Sequence, residues 1–127
     1  MRYLTAEQVL FLHARLITET GGSHGLHDLG LLQSAIARPQ ASFEGMNLYP
    51  DLFTQAAALL DSLARNHPFV DGNKRTAIAA VALFLRCNGH VLTATNDGVL
   101  TFTLSVARGE VTLADMTDWL CLHSTPG

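Results

Sequence analysis

The sequence predicts a single all-α domain. Its 127 residues are enough for one compact unit that buries a core. Hydrophobic residues make up 48% and charged residues 15%, which is typical of a globular chain rather than a disordered one. Apolar residues recur at helical spacing, and no repeat, linker or low-complexity tract divides the chain. We therefore expect residues 1–127 to form one domain dominated by helices.

The first helix is expected directly after Thr5. Thr5 and Gln8 have the spacing of a capping box, in which each side chain bonds the backbone N–H of the other residue. The apolar positions within residues 9–17 then follow a helical period. Gly21 and Gly22 are expected to end this helix.

A short second helix is expected after Asp28, a candidate N-cap residue. It reaches Ala37 and is closed by Pro39. The next stretch, PQASFEGMNLYP (residues 39–50), contains two prolines, a glycine and an asparagine. This composition is compatible with an irregular loop or with a small hairpin.

Two central helices are expected next. Residues 51–66 are rich in alanine and leucine at a spacing near 3.6, which predicts a buried helix. Residues 75–88, RTAIAAVALFLRCN, predict a second buried helix that ends at Gly89, where glycine suits a left-handed cap. The stretch HPFVDG joins the two.

The C-terminal third predicts two further helices. VLTAT (residues 91–95) is compatible with a short strand. Thr95 or Asn96 can cap a helix that reaches Ala107, and a last helix is expected over Leu113–Leu122.

Composition and charge exclude several function classes. The formal net charge of −3 gives no general electrostatic surface for nucleic acid. No apolar run is long enough to cross a bilayer, and the amino terminus does not resemble a secretion signal, so we expect a cytoplasmic protein without a membrane partner. Cys87 and Cys121 are interpreted as buried core residues or inert free thiols rather than zinc ligands or a disulfide.

Residues 67–76, HPFVDGNKRT, place two cations where a core helix must begin. The positive end of a helix dipole disfavours Lys74 and Arg75 there by a few tenths to about 1 kcal/mol each. A bound anion would remove that penalty, because the unpaired N–H groups of the first turn, from Gly72 onward, attract phosphate. The crowding of cations therefore indicates a polyphosphate site.

Each residue of this stretch also has an ordinary structural interpretation. His67 can cap the preceding helix, Asp71 can be an N-cap, and Lys74 and Arg75 can be solvated surface charges. Phe69 is expected to be a core anchor in either case. Together, however, the set supplies a base, a magnesium ligand and an anion cradle within ten residues, which are the groups that phosphoryl transfer requires.

The same stretch resembles the signature of the Fic/Doc superfamily, whose usual form in Fic enzymes is HPFx(D/E)GNGRxxR. Lys74 stands where Fic enzymes have a second glycine, which resembles the Doc, or death-on-curing, branch. Residues 21–40, 84–92 and 107–120 look similar to Doc proteins as well. The resemblance thus spans nearly the whole chain.

This resemblance implies a Fic-like bundle of about six helices and a role for each motif residue. His67 corresponds to the general base that takes a proton from a target hydroxyl. Asp71 corresponds to the residue that holds Mg²⁺ against the phosphates of ATP. The nucleotide-binding positions that it implies are Gly72, Asn73, Lys74 and Arg75.

The resemblance also implies a reaction and partners. Lys74 would crowd the nest that receives the α-phosphate in AMP transfer. Doc-like proteins instead present the γ-phosphate of ATP and act as protein kinases toward translation elongation factor Tu. We therefore expect phosphorylation of a Ser or Thr hydroxyl, with Fic-type adenylyl transfer as the alternative. Phe43–Leu48 correspond to a flap that positions the target, and an antitoxin of the Phd type is the expected inhibitor.

A metal-dependent HD phosphohydrolase is a rival interpretation. It rests on His13, His24 and the pair His27 and Asp28. Because His24 and His27 lie in a glycine-rich turn and Asp28 stands at a helix start, we favour structural roles for them.

Two further classes are weaker. A binding module without catalysis would not need His67, Asp71 and Arg75 together. A helix-turn-helix that binds DNA is disfavoured, because the fourth helix is too apolar to face a groove.

Overall fold

The computed structural model describes residues 1–127 as six helices and four short strands. The helices are α1 (Ala6–Thr20), α2 (Leu29–Ala37), α3 (Leu52–Asn66), α4 (Asn73–Cys87), α5 (Asn96–Ala107) and α6 (Leu113–Leu122). The strands are β1 (Ser42–Phe43), β2 (Met46–Asn47), β3 (His90–Leu92) and β4 (Ser124–Pro126). The helices pack around one apolar core, so the predicted all-α helical bundle is confirmed.

Side-chain caps set most helix starts, as the sequence predicted. Thr5 and Gln8 form the capping box of α1, with N–H to oxygen distances of 2.8 and 3.2 Å. Asp28 caps α2 by accepting a hydrogen bond of 3.0 Å from the N–H of Leu31. Thr95, rather than Asn96, caps α5. Such caps are each worth about 1 kcal/mol.

The two central helices form the middle of the bundle. α3 packs most extensively on α4 and α6 and is buried along most of its length. Phe84 on α4 is 1% exposed and is the largest fully buried side chain. Truncating such a residue to alanine costs about 3–5 kcal/mol. This core holds the α3 to α4 connection in place.

Residues 39–50 form a small hairpin, the second of the two predicted alternatives. After a 3₁₀ turn at Arg38–Gln40, β1 pairs with β2 in antiparallel register. Glu44 and Gly45 make the two-residue connection with φ values of 50° and 78°. Positive φ at both positions gives a two-residue turn whose twist matches the right-handed twist of the paired strands.

The base of the hairpin is tied to α3 by polar contacts. Arg38 donates hydrogen bonds to Asp61 (2.7 Å), Ser62 (2.9 Å) and the hydroxyl of Tyr49 (3.1 Å). Burial acts to lower the pKa of Arg38, but the bonds to Asp61 and Tyr49 outweigh it and raise that pKa. Gln55 adds a bond to the carbonyl of Tyr49 (3.0 Å). The hairpin therefore projects from a fixed base.

The structure differs from the sequence prediction in a strand pair near the C-terminus and in the exposure of the two cysteines. The strand β3 begins at His90 and pairs with β4, a strand that no alternation in the sequence indicated. Cys87 and Cys121 are both free thiols, the second of the two predicted alternatives; Cys121 is exposed and Cys87 is half-buried, so neither is a buried core residue. Cys121 lies on α6, whose core-facing residues are Met116 and Leu120.

None of the six helices combines the length and apolar character needed to span a bilayer.

Candidate active site

The connection between α3 and α4, here called the motif turn (residues 67–72), reverses the chain with two left-handed residues. His67 follows α3 with φ 51° and ψ 57°, and Gly72 precedes α4 with φ 75°. Left-handed backbone is uncommon for a residue other than glycine and often marks a functional position. Phe69 is buried, as predicted, whereas His67 and Asp71 are exposed. His67 is the C-cap residue of α3, as its structural interpretation predicted, but its imidazole makes no hydrogen bond within the chain, so the cap does not use the side chain.

Asn73 uses its side chain to close the motif turn. Its Oδ1 accepts a hydrogen bond from the N–H of Phe69, and its Nδ2 donates one to the carbonyl of Phe69, both at 2.9 Å. Both polar atoms of the side chain are thus occupied by hydrogen bonds to Phe69, and the backbone N–H of Asn73 faces no protein acceptor. The sequence did not reveal this structural role.

Asp71 accepts two backbone hydrogen bonds. Its Oδ2 accepts from the N–H of Ser23 (3.0 Å) and its Oδ1 from the N–H of Gly72 (2.8 Å). The bond from Ser23 first, then that from Gly72, lower the pKa of Asp71, and the charges of Arg75 and His13 act in the same direction. Because Gly72 is the N-cap of α4, the interpretation of Asp71 as the N-cap is wrong. Asp71 is instead an exposed carboxylate held in its ionised form.

A glycine-rich segment (residues 21–28) pairs with the motif turn through its main chain. The carbonyl of Pro68 accepts hydrogen bonds from the N–H groups of His27 (2.8 Å) and Asp28 (3.0 Å), and the N–H of Val70 donates to Gly25 (3.1 Å). A Cβ on Gly22 would lie 2.6 Å from Oδ2 of Asp71. Glycine is therefore needed where this segment passes the carboxylate.

Arg75 ties the first turn of α4 to the end of α1. Its Nη1 donates to the hydroxyl of Thr20 and to the carbonyl of Gly21 (3.1 Å). The Nη2 group has no acceptor within the chain and lies near the Cβ positions of Gly22 and Gly72. The guanidinium of Arg75 is thus held beside Asp71, and its Nη2 group is free to donate hydrogen bonds to a ligand.

The amino terminus of α4 lacks the side-chain cap that α1, α2, α3, α5 and α6 have. The first helical hydrogen bond runs from the N–H of Thr76 to the carbonyl of Gly72 (3.0 Å). The N–H groups of Asn73, Lys74 and Arg75 consequently have no acceptor in the chain. The side chain of Lys74 is exposed and forms no ion pair. This is a positive helix terminus of the kind that attracts anions.

A small apolar cavity of about 180 Å³ lies beside this terminus, between α4 and α5. It is lined by Lys74, Arg75, Ile78, Val99 and Leu100, among others. Typical small-molecule pockets measure roughly 300–1,000 Å³, so this one has room for only part of a nucleotide. Its existence depends on the packing of α5, which no motif in the sequence indicated.

The residues behind the HD phosphohydrolase interpretation do not come together. No group of three or more His, Cys, Asp or Glu side chains is close enough to hold a metal ion. His13 is buried and Asp28 caps α2. That interpretation therefore gains no support from the structure.

Comparison with known proteins identifies a family for the whole arrangement. A model described as Fic/DOC family matches residues 3–85, a range that contains α1, the glycine-rich segment and the motif turn. The chain is 57% identical over 77 residues to a protein of Mycolicibacterium smegmatis named Toxin Doc, a match that covers 61% of this chain and 59% of that relative. It is 36% identical over 122 residues to a protein of Escherichia phage P1 named Protein kinase doc, covering 94% of each. Because the family match extends over more than half of the chain, and the phage relative over nearly all of it, this protein belongs to the Fic/DOC family.

Proposed function

We propose that this protein is a Doc-type toxin that uses ATP to phosphorylate a Ser or Thr hydroxyl of a translation factor similar to elongation factor Tu. The observation that carries the proposal is the uncapped start of α4, where three backbone N–H groups and Lys74 face no protein acceptor. An ionised Asp71 and an exposed His67 flank it. Phosphoryl transfer depends mainly on positioning and charge neutralisation, which these groups supply.

The groups of the motif turn fit ATP with Mg²⁺. Magnesium prefers anionic oxygen ligands and usually shares them with substrate phosphates rather than with an all-protein cage. Each carboxylate oxygen of Asp71 makes one hydrogen bond and retains lone pairs for a metal. The N–H groups of Asn73, Lys74 and Arg75, together with the Nη2 of Arg75, would hold phosphate oxygens. Magnesium, when bound, would neutralise charge on those oxygens.

In the proposed reaction His67 acts as the general base. Its exposed imidazole accepts the proton of the target hydroxyl while that oxygen bonds to the γ-phosphorus and ADP leaves. Lys74 and Arg75 stabilise the charge that builds on the phosphate oxygens and on the leaving ADP. His67 is exposed to solvent, where a protein substrate can approach its ring.

Two observations favour phosphate transfer over AMP transfer. Lys74 replaces the small residue that the resemblance associates with an α-phosphate nest, and its side chain, a long aliphatic stem that ends in an ammonium group, borders the cavity next to α5. The phage relative that matches 94% of the chain is named a protein kinase. AMP transfer remains the alternative outcome of the assay.

The proposed protein partners are a target and an inhibitor. The hairpin presents exposed Phe43, Met46 and Leu48 on a fixed base, which suits a target segment added as an extended strand. The mycobacterial relative is named a toxin, and we propose a Phd-type antitoxin as the inhibitor. Both partners would place the reaction in the cytoplasm.

The test uses purified protein, Mg²⁺ and purified elongation factor Tu, with ATP labelled at either the γ- or the α-phosphate. We expect label on the target from γ-labelled ATP alone, and none with His67→Ala. His123→Ala, at the histidine that follows α6 and lies outside the motif turn, is the control for the loss of a histidine and should retain transfer. Label from α-labelled ATP would mean adenylyl transfer instead. No label from either nucleotide, with this target or in a cell extract, would refute the proposed activity.

A further inference from the structure

His13 on α1 is a buried histidine in direct contact with the motif turn. It is 4% exposed, and its ring stacks on Phe69 with centroids 3.8 Å apart and planes 6° from parallel. Its Nε2 lies 2.8 Å from the carbonyl oxygen of Asp71. His13 therefore contacts the residue that anchors the turn and also the residue proposed to bind magnesium.

The chemistry of this contact fixes the direction of the hydrogen bond. A carbonyl oxygen only accepts, so Nε2 of His13 must carry the proton and donate it. No other group in the chain donates to the carbonyl of Asp71. Loss of the imidazole would leave that carbonyl without a hydrogen-bond partner in the protein.

A fixed carbonyl at Asp71 also fixes the next N–H group. The peptide bond is planar, so the C=O of Asp71 and the N–H of Gly72 lie in one plane and point in opposite directions. That N–H donates to Oδ1 of Asp71, and Gly72 is the left-handed residue that begins α4. The orientation of this one peptide thus sets both the carboxylate and the first turn of the helix.

We propose that His13 is a positioning residue, which holds the peptide between Asp71 and Gly72 so that the carboxylate and the N–H groups of Asn73–Arg75 face the same ligand. This inference rests on the proposed function for its catalytic consequence. A purely packing role does not require a donor: the other buried residues of α1, Val9 and Ile17, are apolar. A leucine at position 13 would fill similar space against Phe69 without donating a hydrogen bond.

The test compares His13→Gln with His13→Leu. Nε2 of glutamine reaches a position similar to Nε2 of histidine and can donate the same hydrogen bond, whereas leucine cannot. Both variants lack the imidazole, so its ring current is absent from both. We expect the amide NMR resonances of Gly72 and Asn73 in His13→Leu to differ from those in His13→Gln, and His13→Leu to weaken binding of ADP with Mg²⁺ and lower phosphotransfer at least about tenfold. His13→Gln should keep both binding and transfer within about threefold of the wild type.

Two outcomes would overturn the positioning role. One is a folded His13→Leu variant whose Gly72 and Asn73 resonances match those of His13→Gln. The other needs only the wild type: it is a ¹⁵N NMR spectrum in which Nε2 of His13 carries no proton. Gly72 and Asn73 resonances that differ between His13→Leu and His13→Gln would support positioning even if no variant transferred phosphate, and in that case only the proposed kinase activity would fail.

Discussion

The side-chain amide of Asn73 bonds both the N–H and the carbonyl of Phe69, and so closes the motif turn as a backbone strand partner would. Phe69 is 3% exposed, so without Asn73 these two backbone groups would be left unpaired close to the core. The turn is therefore held in shape by the protein itself. Such preorganisation lowers the cost of ordering a binding site when a ligand arrives.

Asn73→Ala is expected to destabilise the protein by about 1–3 kcal/mol, the cost of leaving buried backbone groups unsatisfied. The measurement is urea unfolding followed by circular dichroism. Asn47→Ala in the hairpin is the matched control, because the side chain of Asn47 is exposed, and it should change stability little. Equal stabilities for the two variants would contradict the role assigned to Asn73.

Gly22→Ala is expected to be more disruptive than Gly21→Ala. Both glycines have positive φ, 115° and 88°, so alanine carries a left-handed penalty of about 1–2 kcal/mol at either site. At Gly22 the added Cβ would also lie 2.6 Å from Oδ2 of Asp71, whereas at Gly21 it would meet nothing within 4 Å. We expect an additional loss of about 1–3 kcal/mol for Gly22→Ala, measured by urea unfolding. The N–H of Gly72 donates to Oδ1 of Asp71 and is remote in sequence from both substitutions. A shifted Gly72 amide resonance in Gly22→Ala alone would report displacement of the carboxylate, and its absence would contradict the close contact.

Asp71 is expected to make stability depend on pH in acid. Its pKa is lowered from the ordinary 3.8 by the hydrogen bonds from Ser23 and Gly72. Between the two pKa values the folded state binds fewer protons than the unfolded state. The stabilisation is therefore complete above about pH 4 and disappears as the pH falls through the lowered pKa.

The measurement for Asp71 is an NMR titration of its side-chain carboxyl carbon, combined with unfolding of wild type and Asp71→Asn over the same acidic range. The difference in stability between the two proteins should shrink toward low pH. A carboxyl that titrates at or above 3.8 would contradict the two hydrogen bonds.

Phe43→Ser in the hairpin is expected to raise the KM for the protein target several-fold while leaving the binding of ADP with Mg²⁺ unchanged. The proposed target segment lies along the hairpin, away from the start of α4, so only docking should suffer. Phe11→Ser on α1 is a matched control, because Phe11 is 66% exposed and Phe43 is 67% exposed. Identical steady-state kinetics for the two variants would refute a docking role for the hairpin.

Local signals in the sequence accounted for the helices and for the position of the motif. The Thr5 and Gln8 capping box and the Asp28 cap are side-chain features, so they can be seen in the sequence and recur in the structure. The hairpin stayed ambiguous because its strands have only two residues each, too few to show alternation.

Contacts that use the backbone left no such signal. The pairing of the glycine-rich segment with Pro68 and Val70 runs through main-chain groups that every sequence has. The partner of His13 is likewise a carbonyl, so nothing in the residue types pairs His13 with Asp71. The hydrogen bonds between the Asn73 side chain and the backbone of Phe69 left no signal in the sequence for the same reason. These distant contacts decide how the groups of the candidate site face one another.

The pairing between the glycine-rich segment and the motif turn has a consequence for chain assembly. A fragment with only α3, the motif turn and α4 would contain the complete ten-residue signature yet lack Ser23, Gly25, His27 and Asp28, whose amides and carbonyls shape it. During synthesis on the ribosome, α3 and α4 emerge after α1 and α2. The candidate site would stay incomplete until α1 and α2 dock against them. A protein built in this way has a complete site only when its amino-terminal helices have docked on α3 and α4.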